Sequence, residues 1–202
     1  MVSFGSDPLP PNAAAVKILI AGGFGVGKTT LVGAVSEVPP LHTEEVMTEA
    51  GVGVDDTAGI EAKARTTVAL DFGRITLSED LVLYLFGAPG QERFWSLWDD
   101  LALGALGAIV LVDTRRLESS FGSIDFMERR GIPFVVAVNR FDSAADYTVD
   151  EVRDALDLAP DVPAVMCDAR VRGSGREVLL ALVDHLMTGA PVLAGAPTKG
   201  TL

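Results

Sequence analysis

Gly22-Gly23-Phe24-Gly25-Val26-Gly27-Lys28-Thr29 stands between a short apolar run, residues 16–21, and a stretch of helix-forming composition, residues 30–38. A buried strand, a glycine-rich turn and a helix in that order build a pocket for phosphate. The glycines let the backbone curl until successive N–H groups face one centre, and the helix behind adds the positive end of its dipole. Lys28 is then placed to reach the β and γ oxygens of a nucleotide, and the Thr29 hydroxyl to hold Mg²⁺. Gly23, Phe24, Gly25, Val26, Gly27, Lys28, Thr29 and Thr30 are the expected phosphate-side residues.

On either side of this loop apolar strands alternate with helix-like segments. Strands are expected at 16–21, 67–77, 81–86, 107–112, 134–138 and 164–167, and helices at 30–38, 94–103, 117–130, 149–158 and 175–187. Such alternation predicts an α/β fold in three layers, a mostly parallel sheet with helices on both faces. Only Ser78-Glu79-Asp80 separates two of the strands, too little for a helical crossover, so that pair must be antiparallel. The expectation is a mixed six-stranded sheet with one antiparallel hairpin strand. The connection 39–65 shows no clear periodicity, and a structureless link of that size in a compact domain is usually functional.

The 202 residues suffice for one well-buried core, expected over 13–188, with disordered tails at 1–12 and 189–202 rich in Gly, Pro and small residues. A net charge of −12 argues against nucleic acid or an anionic membrane surface as partner, since both need clustered Lys and Arg. The single cysteine, Cys167, has no partner for a disulfide within the chain, and its apolar neighbours point to a buried small residue. The most apolar stretch, 101–112, falls well short of the roughly 20 residues that cross a bilayer, and no signal layout or lipidation motif is present. A cytoplasmic protein is expected, with membrane association only through partners.

A base must be read at the carboxyl ends of neighbouring strands. The strand 134–138 runs into Asn139-Arg140-Phe141-Asp142. A carboxylate there accepts from the N1–H and exocyclic amine of guanine, whereas adenine offers an acceptor at N1. Asp142 is the candidate guanine reader, Asn139 the tie to the phosphate loop, and the Arg140 stem a cover for the base plane. Asn-x-x-Asp alone also serves as a helix cap or turn; after a buried strand, beside a phosphate loop, it points to base recognition. The next strand ends Met166-Cys167-Asp168-Ala169-Arg170. Cys167, Ala169 and Arg170 are expected beside the base, with the small Ala169 letting a backbone N–H approach the guanine carbonyl. After 81–86 comes Gly87-Ala88-Pro89-Gly90-Gln91, where the Gly90 amide can meet a γ-phosphate and Gln91 can orient an attacking water.

With these strings in order, the chain resembles the Ras-like small GTPases from about residue 16 to 187. Gly22 to Thr29 resembles their phosphate loop, Gly87 to Gln91 their Asp-x-x-Gly-Gln element, Asn139 to Asp142 their Asn-Lys-x-Asp, and Asp168 to Arg170 their Ser-Ala-Lys. Within them, the segment Val-Met-Thr-Glu-Ala-Gly-Val-Gly-Val-Asp-Asp at 46–56 and the block Phe-Gly-x-Pro-Gly-Gln-x-Arg-Phe-Trp at 86–95 are similar to the actinobacterial conservon GTPases, relatives of the polarity GTPase MglA. The resemblance implies the P-loop NTPase fold, GTP or GDP with Mg²⁺ as ligands, and a signalling role. It implies partners too: a Roadblock/LC7-type regulator, a sensor-kinase-like membrane protein and a further small conservon protein.

Departures from the pattern carry their own expectations. Gly87 stands where most of the family has an aspartate that holds Mg²⁺ through water, which predicts weaker metal binding. Phe24 occupies a loop position usually glycine or small, close to where a catalytic glutamine or an arginine finger fits, which predicts slow intrinsic turnover or a rearranged switch. Arg140 and Arg170 replace lysines and keep a cation on an aliphatic stem. Thr67, with Thr66 beside it, matches the switch threonine that meets the metal; both also suit the opening of a strand. Arg65 is a candidate internal arginine finger or a solvated side chain. Asp56-Thr57-Ala58-Gly59 and Asp71-Phe72-Gly73 copy known motifs out of context and are set aside. Phe94, Trp95, Leu97 and Trp98 are either helix core or a partner surface. His42 and His185 stand alone and receive no role.

Two functions follow: a slow, partner-stimulated GTPase switch in which Gln91, Lys28 and Arg65 act on the γ-phosphate while Thr29 and Thr67 hold the metal, or a GTP-binding scaffold that hardly hydrolyses. An ATP-dependent small-molecule kinase would need an acceptor site and an arginine-bearing lid, and neither is legible.

Overall fold

Chain order gives β1 (Ala14–Ala21), α1 (Lys28–Val35), β2 (Leu41–Thr48), β3 (Arg65–Ser78), β4 (Leu81–Gly87), α2 (Ser96–Ala102), β5 (Ala105–Val112), a 3₁₀ segment (Thr114–Ser120), α3 (Phe121–Arg130), β6 (Phe134–Asn139), α4 (Val149–Ala155), β7 (Ala164–Cys167) and α5 (Arg172–Gly189). β1 is central because both of its faces have a core to enter. Ile18 and Ile20 pack with Leu31, Val32 and Val35 of α1 and Val178 and Leu182 of α5. Leu19 and Ala21 turn the other way, toward Trp98 of α2, Ile124 and Met127 of α3, and Val152 of α4. Truncating one of the fully buried side chains such as Leu19 or Ile20 to alanine costs about 2–5 kcal/mol. The computed structural model describes residues 13–39, 41–48, 65–91, 94 and 96–189, with the backbone alone for 41–48 and 65–69.

The sheet runs β2-β3-β4-β1-β5-β6-β7, antiparallel at β2·β3 and β3·β4 and parallel elsewhere. This is the expected mixed, mostly parallel sheet between two helical layers, a P-loop NTPase fold. All six expected strands form, and a seventh, β2, extends the edge out of the connection expected to lack structure. Its mixed sequence Leu-His-Thr-Glu-Glu-Val-Met-Thr has no clean alternation; pairing with the fourteen-residue β3 defines it. The strand order turns about β1, whose neighbours are β4 and β5, so a crevice opens at the carboxyl ends of these strands.

The helix expected over 117–130 is really two pieces. The Asp113 carboxylate accepts from the Arg115 N–H, caps a 3₁₀ turn, and Arg116 breaks helical geometry at φ −147° and ψ 56° before α3 begins at Phe121. α4 starts on a capping box between Thr148 and Glu151, and α5 extends through Gly189. Phe94 and Trp98 are buried, so of the aromatic patch these two belong to the core; Trp95 lies outside the described residues. The expected tails (apart from Gly189 at the end of α5), Asp56 to Gly59 and most of the 39–65 connection also lie outside them.

Candidate functional site

At the end of β1 the chain turns through Gly22 at φ +129°, Gly25 at +72° and Gly27 at +105°, conformations that side-chain-bearing residues rarely adopt. Gly27 is the left-handed cap of α1, and a Cβ there would stand 2.6 Å from Asn139 Nδ2. Lys28 curls back over this loop, donating from Nζ to the carbonyls of Gly22 and Gly23 at 2.8 Å each. Burial holds the Lys28 ammonium down to about 8, against the opposing pull of the Asp71 carboxylate. Gly90 closes on the same point: a Cβ there would lie 2.6 Å from Lys28 Nζ and 2.8 Å from the Gly23 carbonyl. Gln91 follows, its carbonyl accepting from the Phe94 N–H, while Trp98 Nε1 donates to Pro89 O at 3.0 Å and pins the loop to α2. Phe24 of the phosphate loop is 65% exposed.

The carboxylate missing at Gly87 is present from another strand. Asp71 of β3 pairs with Gly87 of β4 in the antiparallel register, and the Thr29 hydroxyl donates to Asp71 Oδ2 at 2.6 Å. A Cβ on Gly87 would meet Asp71 Cβ at 2.9 Å and Oδ2 at 3.1 Å, so the Asp71 side chain fills the room an aspartate at 87 would need. The Asp71-Phe72-Gly73 string set aside in the sequence therefore places an acidic oxygen beside Thr29, where Gly87 supplies none. Thr29 and Asp71 are a hard-oxygen pair, and no group of three or more His, Cys, Asp or Glu gathers as a metal site among the described residues. That donor set suits Mg²⁺, which binds few protein oxygens and keeps water and phosphate for the rest. Thr67 lies four residues along β3 from Asp71, about 13 Å of strand, with its backbone paired opposite Val46 of β2. The side chains of Thr66, Thr67 and Arg65 lie outside the described residues.

The base side is built on β6 and β7. Asn139 is buried, donates from Nδ2 to Val26 O at 2.8 Å, and accepts from the Ala169 N–H at 3.0 Å, so one side chain joins the phosphate loop to both base-side loops. A cleft of about 360 Å³ lies between Gly25, Gly27, Thr30, Asn139, Asp142 and Ala169. A hollow of about 740 Å³ adjoins it, sharing Arg140 and Phe141 and running on to Tyr147. Asp142 projects into solvent with its side chain 87% exposed; Arg170 reaches it at 3.3 Å and holds Asp168 at 2.9 Å. This guanidinium holds the Asp168 carboxyl down to about 2. The Ala169 amide, expected to face a purine carbonyl, is committed to Asn139 here. Cys167 is buried, as its apolar neighbours imply: its thiol packs into the core and is pushed up to about 11 by burial, while its carbonyl accepts from the Arg140 N–H of the base-side loop.

Sequence reasoning missed the segment after β5. Asp113, buried at the strand end, bonds Arg115 through Nε and Nη2 at 2.9 Å each, and its carboxyl is pulled below the usual range, chiefly by that contact. Arg115 lies 3.7 Å over the Phe141 ring and donates to Ser143, walling the base cleft. The signal was available: Asp113-Thr114-Arg115-Arg116 follows a buried parallel strand, where ligands are met.

Residues 20–189 match the model of a family described as conserved hypothetical ATP binding protein, and the chain belongs to that family. No match is found among curated proteins. Among solved structures the chain is similar to the G domain of the T. maritima FeoB iron transporter, at 21% identity over 85% of this chain and 99% of that one, with a TM-score of 0.56. It is similar also to the FeoB G-domain of Methanococcus jannaschii (16%, 86% and 98%, 0.56) and to the cytosolic domain of T. maritima FeoB in a GDP form (18%, 86% and 64%, 0.59). At these identities the likeness shows the fold.

Proposed function

We propose that this protein is a guanine-nucleotide switch that binds GTP and GDP with Mg²⁺ and hydrolyses GTP slowly. The observation that carries the reading is the Asn139 bridge: it fixes the Asp142 loop to the phosphate loop at Val26, so that one acidic side chain and one run of amides border a single cleft. Asp142 accepts from guanine N1–H and N2–H₂, a pairing adenine cannot make. The family description names ATP, so competition of ATP and GTP for the labelled GDP site is the direct test. GTP displacing label at least a hundredfold better supports the reading, and equal potency overturns it.

Thr29 would hold Mg²⁺ directly and Asp71 through water, and the ion would supply charge neutralisation at the β and γ oxygens. Lys28 leaves the Gly22 and Gly23 carbonyls for phosphate, the Gly90 amide meets the γ-phosphate, and Gln91 orients water. The water oxygen bonds to the γ-phosphorus as the bond to the β–γ bridging oxygen breaks, yielding GDP and inorganic phosphate.

The exposed Phe24 beside the γ position favours a second reading, a scaffold that holds GTP and hardly turns it over. Single-turnover hydrolysis separates the two, since a rate at the solution background leaves only the scaffold. The motifs shared with conservon GTPases support a Roadblock/LC7-type regulator as partner, in an assembly that brings a cytoplasmic switch to a membrane. Nucleotide-dependent co-purification with such a regulator tests that assignment.

A further inference from the structure

The 3₁₀ segment Thr114–Ser120 forms an outer wall on the phosphate loop. A Cβ on Gly23 would stand 2.4 Å from Ser119 Oγ, so the two backbones are in near contact. Arg116 Nη2 donates to the Phe24 carbonyl at 3.0 Å and lies 3.5 Å from where a Gly25 Cβ would be. The same nitrogen stands 3.4 Å from the buried Asp113 carboxylate, a tether that holds the guanidinium over the loop rather than in solvent. Its side chain is still 48% exposed, and its Nε and Nη1 make no hydrogen bond within the described residues.

We propose that Arg116 is a cis-acting arginine that contacts the β–γ region of the bound nucleotide during hydrolysis. The inference rests on the GTPase reading above and adds to Lys28 a second cation, from a different element than the Arg65 considered in the sequence. As the bond between the γ-phosphorus and the bridging oxygen lengthens, negative charge moves onto that oxygen and the β-phosphate. The Arg116 guanidinium donates hydrogen bonds to those oxygens and transfers no proton. Phe24, exposed on the same loop, stands at the position expected from the family pattern to be small where an arginine finger fits, which is consistent with an internal supply. The Arg116 N–H donates to the Asp113 carbonyl at 2.9 Å, which fixes the backbone, and in this proposal the half-exposed guanidinium exchanges the Phe24 carbonyl for a phosphate oxygen.

The test uses the full chain with Mg²⁺ and compares GDP with GDP plus aluminium fluoride, a mimic of the transferring phosphoryl group, in wild type, Arg116→Ala and Arg116→Lys. The expected result is GDP affinity within about twofold of wild type in R116A, with capture of the aluminium fluoride complex weakened at least tenfold and single-turnover hydrolysis at least a hundredfold. R116K should recover part of both. Equal loss for GDP and for the fluoride complex overturns the proposal and leaves Arg116 a brace on the phosphate loop. Unchanged capture in R116A, or a wild type that binds GDP and captures no fluoride, overturns it as well. A wild type that takes up no guanine nucleotide instead overturns the GTPase reading on which this inference stands. Thermal melting of each variant identifies any loss that comes from unfolding.

Discussion

Raising the pH through 8 should weaken nucleotide binding through Lys28. In the free protein the ammonium is held down to about 8 by burial against the Gly22 and Gly23 carbonyls. A nucleotide's phosphates replace those carbonyls and favour the charged form, so the bound-state value rises and binding takes up a proton. The sign follows: affinity is full where both states are protonated and falls as pH climbs through the free-state value. With that value near 8 and Lys28 charged when bound, the loss between pH 7.0 and 8.5 is about fourfold, or about 0.8 kcal/mol. At pH 8.0 about half a proton is taken up per GDP bound. Titration calorimetry in two buffers of different ionisation enthalpy reads the proton directly, and staying at or below pH 8.5 keeps the base N1–H in place. Lys28→Met should bind more weakly and show a flat profile over the same range. Proton uptake below a tenth at pH 8.0, or an equal slope in the Lys28→Met variant, would refute this account of the loop.

Asp71→Asn should raise the Mg²⁺ concentration that half-suppresses GDP release by about 10- to 100-fold while GDP measured in chelator changes little; an unaltered magnesium curve removes Asp71 from the metal site. Gly87→Asp alone should destabilise the fold by about 1–3 kcal/mol, because its Cβ falls 2.9 Å from that of Asp71, whereas Gly87→Asp with Asp71→Ala should recover both melting temperature and magnesium response. Additive losses in the double variant would show that the two positions do not share one space. Asp142→Asn should shift preference from guanine toward xanthine nucleotides, read by competition against labelled GDP, and an unchanged base preference refutes its role as reader.

The strands of the core and the phosphate loop were legible because each announces itself locally: apolar runs such as 107–112, and glycines spaced for a turn ahead of Lys28. The cleft between Asn139, Asp142 and Ala169 was legible for a related reason, since each lies at the carboxyl end of a readable parallel strand. β2 was not, because an edge strand of mixed polarity is defined by the backbone it pairs with, and that partner comes later in the chain. Arg115 and Arg116 were hidden by helical periodicity downstream, which drew the helix start to 117 and past the Asp113 cap. Cys167 shows the limit of reading by position: one strand end offers its carbonyl to the base loop and its thiol to the core.

Asp71 illustrates why a motif can be broken in sequence and whole in space. Residues directly opposite in an antiparallel pair project to the same face, so a carboxylate on Asp71 or on Gly87 reaches one point above Thr29. Sixteen positions separate the two in the chain, and no string-based pattern links them; only the β3·β4 register does. That register is closely determined. The turn at Ser78-Glu79-Asp80 sets it at one end, and the Phe72 contact with Phe86 at a ring separation of 5.3 Å holds it at the other. A slip of one residue would turn Asp71 to the opposite face and leave Thr29 without an acidic neighbour, so the metal side of this site depends on strand pairing as much as on the phosphate loop itself.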